Sequence, residues 1–226
     1  MIIQGLQKTT LIDYPGKIAC TVFLAGCNFR CPWCYSSDLV FSRGEEISPA
    51  SFFSFLDQRK NQLEGVVICG GEPTINSDLP DFCSKVKQKG YSVKLDTNGS
   101  NPVMLKELVE SGLIDYVAMD VKAPQDKYTK AIGVNFDIAK IEKSISFLKQ
   151  NKVDYEFRTT IHPFLNKNDL IKIAEWIRPA KKYYLQPFKA MQTLKPEVAS
   201  LTSLVFEEIE KAQKEIASFF EICEVR

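Results

Sequence analysis

The sequence predicts an α/β fold, an open partial (β/α)6 barrel in which outer helices cover a parallel sheet. Six short apolar segments alternate with six amphipathic segments along the chain. Polar residues cluster at the carboxyl ends of five of these predicted strands, where barrel folds place their chemistry. Six units are too few to close the usual eightfold barrel. We therefore expect an open sheet, built as a single domain over residues 1–226.

The predicted strands are apolar runs that end at glycine, proline or polar residues. They cover residues 18–24, 65–69, 91–95, 116–119, 155–161 and 182–185. The predicted helices have one apolar face, and they cover residues 52–59, 79–89, 105–111, 136–150, 169–177 and 204–220. This pattern divides the chain into a lead-in over residues 1–17, a barrel core over 18–190 and a C-terminal helical segment over 191–226.

Local signals mark several helix ends. Ser48 followed by Pro49 is typical of an N-cap and a first helical residue, and Gly90 is typical of a helix C-terminus. Asn168 is the predicted cap of the helix over 169–177, and Asn98 or Asn101 the predicted cap of the helix over 105–111.

Composition limits the functional class. Hydrophobic residues make up 45% and charged residues 25% of the chain, as in ordinary globular enzymes. The net charge of +1 argues against nucleic acid as a partner. No apolar stretch is long enough to span a membrane, and the N-terminus does not resemble a secretory signal. Seven cysteines fit a reducing compartment and a metal site, so we expect a cytoplasmic protein.

A short loop after the first predicted strand holds three cysteines, Cys27, Cys31 and Cys34. A structural zinc site takes four ligands, whereas an iron–sulfur cube held by three cysteines keeps one iron open. The spacing leaves zinc open as an alternative, with the fourth ligand supplied by Cys20, Cys69 or Cys83. A disulfide framework is not expected in a chain of this length.

The spacing C-x-x-x-C-x-x-C, with the aromatic Trp33 before the third cysteine, resembles the signature loop of the radical S-adenosylmethionine (SAM) enzymes. The resemblance implies that Cys27, Cys31 and Cys34 hold a 4Fe–4S cluster whose fourth iron binds the amino and carboxylate groups of SAM. It also implies the reaction, in which one electron from the cluster cleaves SAM to methionine and a 5′-deoxyadenosyl radical. That radical then takes a hydrogen atom from a substrate. The open (β/α)6 barrel is the fold known for this family.

A second motif, Gly70-Gly71-Glu72-Pro73, follows the predicted strand over 65–69. Two glycines let a ligand approach the backbone, and a carboxylate accepts hydrogen bonds from an ammonium group. Alone, the motif could be a plain turn. Its position after the cysteine loop resembles the family's motif for the amino group of SAM, which implies that role for Glu72.

Three more strand ends carry polar residues. The run over 96–99 reads Asp-Thr-Asn-Gly, which by itself could be a turn that leads into a helix cap. Asp120 and Lys122 are two residues apart and share one face of a strand. Arg158 lies among apolar residues, which suits either an internal ion pair or a clamp for a ligand carboxylate.

These strand ends resemble those of the activating enzymes of glycyl-radical proteins, and the resemblance implies roles for their residues. It implies that residues 96–99 and 119–122 lie beside the methionine carboxylate of SAM, and that Lys122 and Arg158 face SAM. It also implies a monovalent cation there, coordinated by Asp96, Thr97, Met119 and Asp120. The site residues predicted beyond the cysteines are therefore Gly70, Gly71, Glu72, Asp96, Thr97, Asn98, Met119, Asp120, Lys122 and Arg158. The role of His162, the only histidine, stays open.

The lead-in over 12–17 and the compact core most resemble the anaerobic ribonucleoside-triphosphate reductase activating proteins. That resemblance implies a glycine Cα on a glycyl-radical partner protein as substrate, and a flavodoxin- or ferredoxin-type electron donor. In one departure, Tyr35-Ser36 follows the third cysteine, where many activating enzymes have His-Asn, which leaves the partner open. Two alternatives remain: an enzyme like 7-carboxy-7-deazaguanine synthase, and a zinc- or cluster-bearing binding module without catalysis.

Overall fold

The computed structural model describes residues 1–226 and contains one sheet of eight strands in sequential order. The first pair is antiparallel and every later pair is parallel, and the first and last strands do not pair with each other. The sheet is therefore an open barrel, which confirms the predicted class. The strands are β1 (Ile3–Thr10), β2 (Ala19–Leu24), β3 (Gly65–Gly70), β4 (Ser92–Thr97), β5 (Tyr116–Asp120), β6 (Asp154–Ile161), β7 (Ala180–Pro187) and β8 (Phe220–Val225).

At least one helix lies between each two consecutive strands from β2 to β8, and the six predicted helices are present. Ser48 caps its helix as predicted, because its hydroxyl accepts a hydrogen bond from Ser51 N at 3.1 Å. Asn101 caps the helix that begins at Pro102. The helices are α1 (Ser37–Val40), α2 (Pro49–Gln58), α3 (Leu79–Gln88), α4 (Pro102–Glu110), α5 (Tyr128–Ile132), α6 (Ala139–Leu148), α7 (Lys167–Ile177) and α8 (Phe206–Ile216).

The cap of α7 differs from the prediction. Asn166, and not Asn168, is the N-cap residue. The Asn166 side chain accepts from Asp169 N at 3.1 Å, and the Asp169 carboxylate accepts from Asn166 N at 2.9 Å. This reciprocal capping box satisfies two otherwise free backbone donors, so the helix begins two residues earlier than the sequence indicated.

The two ends of the chain also differ from the prediction, because each adds a strand to the sheet. The lead-in over 1–17 contains β1, which runs antiparallel to β2. The predicted helix over 204–220 ends at Ile216, and β8 then pairs with β7. The segment 191–226 is therefore not purely helical. Two glutamates lie among the apolar residues from Phe220 to Val225, and Phe220 and Cys223 pack into the core.

Side chains alternate between the two faces of the sheet. The outer face packs against the helices and forms one large apolar core, which includes Val22, Ile68, Leu95, Phe157 and Leu185. We call the opposite side the inner face. Its small apolar cluster consists of Tyr14, Ala19, Val67 and Tyr116, and no helix contributes to it. Most of the other inner-face residues of β4 to β6 are charged or polar.

No helix has the length and hydropathy that crossing a bilayer requires.

Candidate active site

A cavity of about 190 Å³ lies at the carboxyl ends of β2 to β6. Every predicted site residue except Met119 lines it. Met119 is fully buried on the outer face, because its neighbour Asp120 points inward and side chains alternate along a strand. The predicted residues that line the cavity are Cys27, Cys31, Cys34, Gly70, Gly71, Glu72, Asp96, Thr97, Asn98, Asp120, Lys122 and Arg158.

The three cysteines of the loop after β2 all face this cavity. Arg30 holds the loop in place, because its guanidinium donates to the Cys27 carbonyl at 2.5 Å and to the Phe29 carbonyl at 2.8 Å. Burial raises the pKa of the Cys27 thiol to about 11 and that of Cys31 to about 12. Buried thiols of this kind become thiolates only where a positive charge compensates them, as iron does.

The thiols do not form a site for a single ion. No three Cys, His, Asp or Glu side chains of the chain gather around one ion position. Of the candidate fourth zinc ligands, Cys20 and Cys83 are fully buried in the outer core, and only Cys69 reaches the cavity. The indole N–H of Trp33, another cavity residue, is buried without a partner in the chain. Three thiols and a free donor around one cavity fit a cluster larger than a single ion.

The glycine pair after β3 allows close contact between two backbone segments of the chain itself, whereas the sequence indicated contact with a ligand. A Cβ atom on Gly71 would lie 1.9 Å from the Gly26 carbonyl oxygen, and one on Gly70 would lie 2.2 Å from the Leu24 carbonyl oxygen. Gly70 also has a φ of +126°, which side chains rarely allow. The glycines therefore let the end of β3 touch the cysteine loop, and the Glu72 N–H donates to Gly26 O at 2.8 Å.

Glu72 joins the ends of β3 and β4. Its Oε1 accepts from Thr74 N, from the Thr74 hydroxyl and from the Thr97 hydroxyl at 3.0, 2.5 and 2.7 Å. Its Oε2 accepts only from Asn98 N, at 2.6 Å. Burial raises the pKa of Glu72, and these hydrogen bonds oppose that rise. Oε2 keeps a lone pair for one more donor, which leaves room for a ligand ammonium group.

Five charged residues form a chain of ion pairs across the inner face beside the cavity. Asp96 pairs with Lys94 and with Arg158, and Asp120 pairs with Arg158 and with Lys122. Burial opposes ionisation, but Arg158 and Lys122 outweigh it and lower the pKa of Asp120. The two aspartates likewise outweigh burial and raise the pKa of Arg158. The internal ion pair considered for Arg158 is therefore present.

His162 is fully buried behind the cysteine loop and stacks on Trp33, with ring centroids 4.7 Å apart. Its Nδ1 accepts from Phe164 N, so Nε2 carries the proton and donates to Lys122 O at 3.0 Å. The ammonium group of Lys122 lies 5.1 Å from the Trp33 ring centroid. Burial lowers the pKa of His162 to about 4, so the imidazole is neutral. His162 thus connects the cysteine loop to the end of β5.

Several residues of the site were not predicted. Lys94 is almost completely buried and pairs with Asp96. Its position two residues before Asp96 on an apolar strand could have indicated that it belongs to the site. Thr160 follows Arg158 by two residues and so shares its face, which the alternation also indicated. Tyr35 accepts a hydrogen bond from Lys189 N at 2.7 Å, a contact across 154 residues that no local pattern could reveal.

A second cavity, of about 850 Å³, opens onto the inner face. It shares Tyr35, Arg158 and Thr160 with the first cavity, so the two are continuous. The lead-in loop supplies part of its rim, where Ile12 is 85% exposed. A molecule in this second cavity could therefore reach the cysteine-lined one.

Three cysteines in the loop after β2, at the mouth of an open and mostly parallel barrel, are typical of the radical SAM enzymes. The model of the radical SAM superfamily matches residues 21–177, and the chain belongs to this family. The family uses a 4Fe–4S cluster and SAM, and both are therefore cofactors of this protein.

Relatives give a closer comparison. A Methanocaldococcus jannaschii protein named as a glycyl-radical enzyme activating enzyme is 33% identical over 88% of this chain and 85% of its own. The 7-carboxy-7-deazaguanine synthase of Aquifex aeolicus is 31% identical over 69% of this chain and 63% of its own. Among solved structures, Streptococcus suis SuiB bound to S-adenosylmethionine matches 90% of this chain with a TM-score of 0.67 and 12% identity. This chain spans about half of SuiB, at 51%, and that likeness concerns the fold.

Proposed function

We propose that the protein activates a glycyl-radical enzyme, with an anaerobic ribonucleoside-triphosphate reductase as its partner. The observation that carries the proposal is the open inner face. Its cavity of about 850 Å³ adjoins the cysteine-lined cavity, and no helix contributes to the apolar cluster beneath it. A loop of another protein can enter from this side. The relative named as an activating enzyme, which aligns over 88% of this chain, supports the same function.

The chain's own residues would arrange the reactants. Cys27, Cys31 and Cys34 would hold the cluster, and Glu72 Oε2 would accept a hydrogen bond from the amino group of SAM. Lys122 and Arg158 would face its carboxylate. When bound, the reduced cluster and SAM supply the chemistry: one electron and one glycine hydrogen atom convert SAM into methionine and 5′-deoxyadenosine, and leave a glycyl radical. A flavodoxin- or ferredoxin-type protein would deliver the electron.

Electron paramagnetic resonance tests this function. The reduced protein, SAM and a candidate anaerobic ribonucleotide reductase are mixed without oxygen, and a doublet radical on the reductase is expected. The doublet should collapse to a singlet when the α-position of the glycine carries deuterium. A Cys31→Ala variant, which lacks one cluster ligand, serves as the matched control and should give no radical. Formation of 5′-deoxyadenosine without any radical on the partner would contradict the proposal.

A second candidate function is that of a 7-carboxy-7-deazaguanine synthase-like enzyme. Besides the Aquifex relative, one feature of the inner cavity favours it. Lys189 lines this cavity, is exposed and has no carboxylate within ion-pair distance, which suits a small anionic substrate. Chromatographic detection of a deazaguanine product, formed with SAM and without any partner protein, would support this function over the first.

A further inference from the structure

Every carboxylate oxygen predicted to bind the monovalent cation already accepts a hydrogen bond from a lysine or arginine of this chain. Lys94 Nζ donates to Asp96 Oδ1, and Arg158 Nη1 donates to Asp96 Oδ2 at 2.9 Å. Arg158 Nε donates to Asp120 Oδ1 at 2.9 Å, and Lys122 Nζ donates to Asp120 Oδ2 at 3.3 Å. All four carboxylate oxygens of the two aspartates are thus engaged by cations of the chain itself.

Of the other two residues predicted to bind the cation, Thr97 is hydrogen-bonded and Met119 lies outside the cavity. The Thr97 hydroxyl donates to Glu72 Oε1 at 2.7 Å and accepts from Gly99 N at 3.1 Å. The Met119 side chain is fully buried and packs closely against Gly99 in the outer core. As the structure has them, these residues do not form a cation site.

Charge leads to the same conclusion. Counted together with Glu156, which also acts on Arg158, and its partner Arg226, four cations and three anions leave these ion pairs with one net positive charge. A further cation between Asp96 and Asp120 would lie against the guanidinium of Arg158, and like charges at such short range repel. An anionic group of a ligand would instead be attracted.

We infer that Arg158 takes the place of the monovalent cation, so that the chain itself supplies the positive charge beside the carboxylate of SAM. Arg158 suits this role because its planar guanidinium bridges two carboxylates with separate N–H groups and stays charged. The inference requires SAM binding, but it does not depend on the proposed glycine substrate. It therefore stands or falls separately from the proposed function.

The first test measures SAM binding to the anaerobic, cluster-loaded protein by equilibrium dialysis. Buffers of equal ionic strength contain sodium, potassium or tetramethylammonium chloride. The dissociation constant is expected to agree within about twofold among the three salts. An affinity that rises tenfold or more, and saturates, with added sodium or potassium would overturn the inference.

The second test removes the guanidinium. Arg158→Ala frees one oxygen of each aspartate, so its SAM affinity should fall about tenfold in tetramethylammonium and recover in part with sodium or potassium. Arg158→Lys keeps the positive charge, so its SAM affinity should be the same in all three salts. Cluster iron content and circular dichroism check that each variant folds. An Arg158→Ala protein whose SAM affinity equals that of the parent in tetramethylammonium would overturn the inference. If that variant does not fold, the parent measurement decides alone.

Discussion

The outer and inner faces of the sheet are made from alternate residues of the same strands, yet they differ in almost every physical respect. On β6, Phe157 is fully buried under helices, whereas its neighbour Arg158 bridges two carboxylates beside the cavities. Apolar burial stabilises the outer face. Paired charges occupy the inner face, where burial alone would be unfavourable. The comparison shows that alternate residues of one strand have different roles. One set stabilises the fold, and the other set lines the site.

The largest expected effect concerns stability and comes from the outer face. Phe157→Ala removes a fully buried ring that packs edge-on against Tyr155 with centroids 5.2 Å apart. We expect the free energy of unfolding to fall by about 3–5 kcal/mol, because the change leaves a cavity in the core. Chemical denaturation without oxygen measures this loss. SAM affinity of the folded variant should change less than about threefold, and a loss as large as that of stability would contradict the separation of the faces.

The next effect concerns binding and comes from the strand ends. Glu72→Gln should weaken SAM binding by one to two decades, about 1.5–3 kcal/mol, because it removes the charge from a hydrogen bond to the ligand ammonium group. Equilibrium dialysis gives the dissociation constants. The matched control is Glu107→Gln on the exposed side of α4, which should bind SAM like the parent. If the two variants bound SAM with equal affinity, Glu72 would serve only to join the ends of β3 and β4 and would not bind the ligand.

A smaller effect depends on pH. Burial holds the pKa of His162 at about 4, against an unperturbed value of 6.5, so the unfolded chain takes up the proton first as the pH falls. The stability due to neutral His162 is complete above about pH 6.5 and is lost as the pH falls towards 4. Between pH 7.5 and 5.5 the loss should be about 1 kcal/mol.

Denaturation of the parent and of His162→Phe at both pH values measures this contribution. The variant keeps an aromatic ring beside Trp33 but has no proton to gain, so its stability should change less over this range. Equal changes in the two proteins would mean that His162 is not the group responsible.

The smallest effect comes from the edge of the inner face. Glu224 is exposed and forms no ion pair, and its register partner is Tyr184 on β7. Glu224→Ala should change the free energy of unfolding by no more than about 0.5 kcal/mol, as is usual for exposed positions without special contacts. Its neighbour Cys223 packs into the outer core. A loss above about 1 kcal/mol at Glu224 would mean that the inner edge also contributes to stability.

The outer face and the strand ends were predictable from the sequence. Apolar residues revealed β2 to β7, since the outer face of each of these parallel strands packs under helices. The loop of Cys27, Cys31 and Cys34 revealed the family, and side-chain alternation placed Asp120 and Lys122 on one face. These features depend on local pattern, which a single sequence displays.

The remaining features depend on contacts between distant segments. β1 and β8 mix apolar and charged residues, and they become strands only through pairing with β2 and β7. The ion pair between Arg158 and Asp96 joins residues 62 positions apart. The choice of Asn166 over Asn168 as cap depends on a reciprocal bond with Asp169, and two asparagines so close together look alike in the sequence. No local pattern contains these contacts.

The position of Trp33 has a consequence for spectroscopy. The chain has two tryptophans, and only Trp33 lines the cysteine cavity, whereas Trp176 lies on α7 against Tyr128. Iron–sulfur clusters absorb light at the wavelengths at which indoles emit. A cluster bound in the cavity should therefore quench the fluorescence of Trp33 more strongly than that of Trp176. The protein therefore carries its own optical probe beside the cluster site. Assembly and loss of the cofactor can be followed in real time without an attached dye.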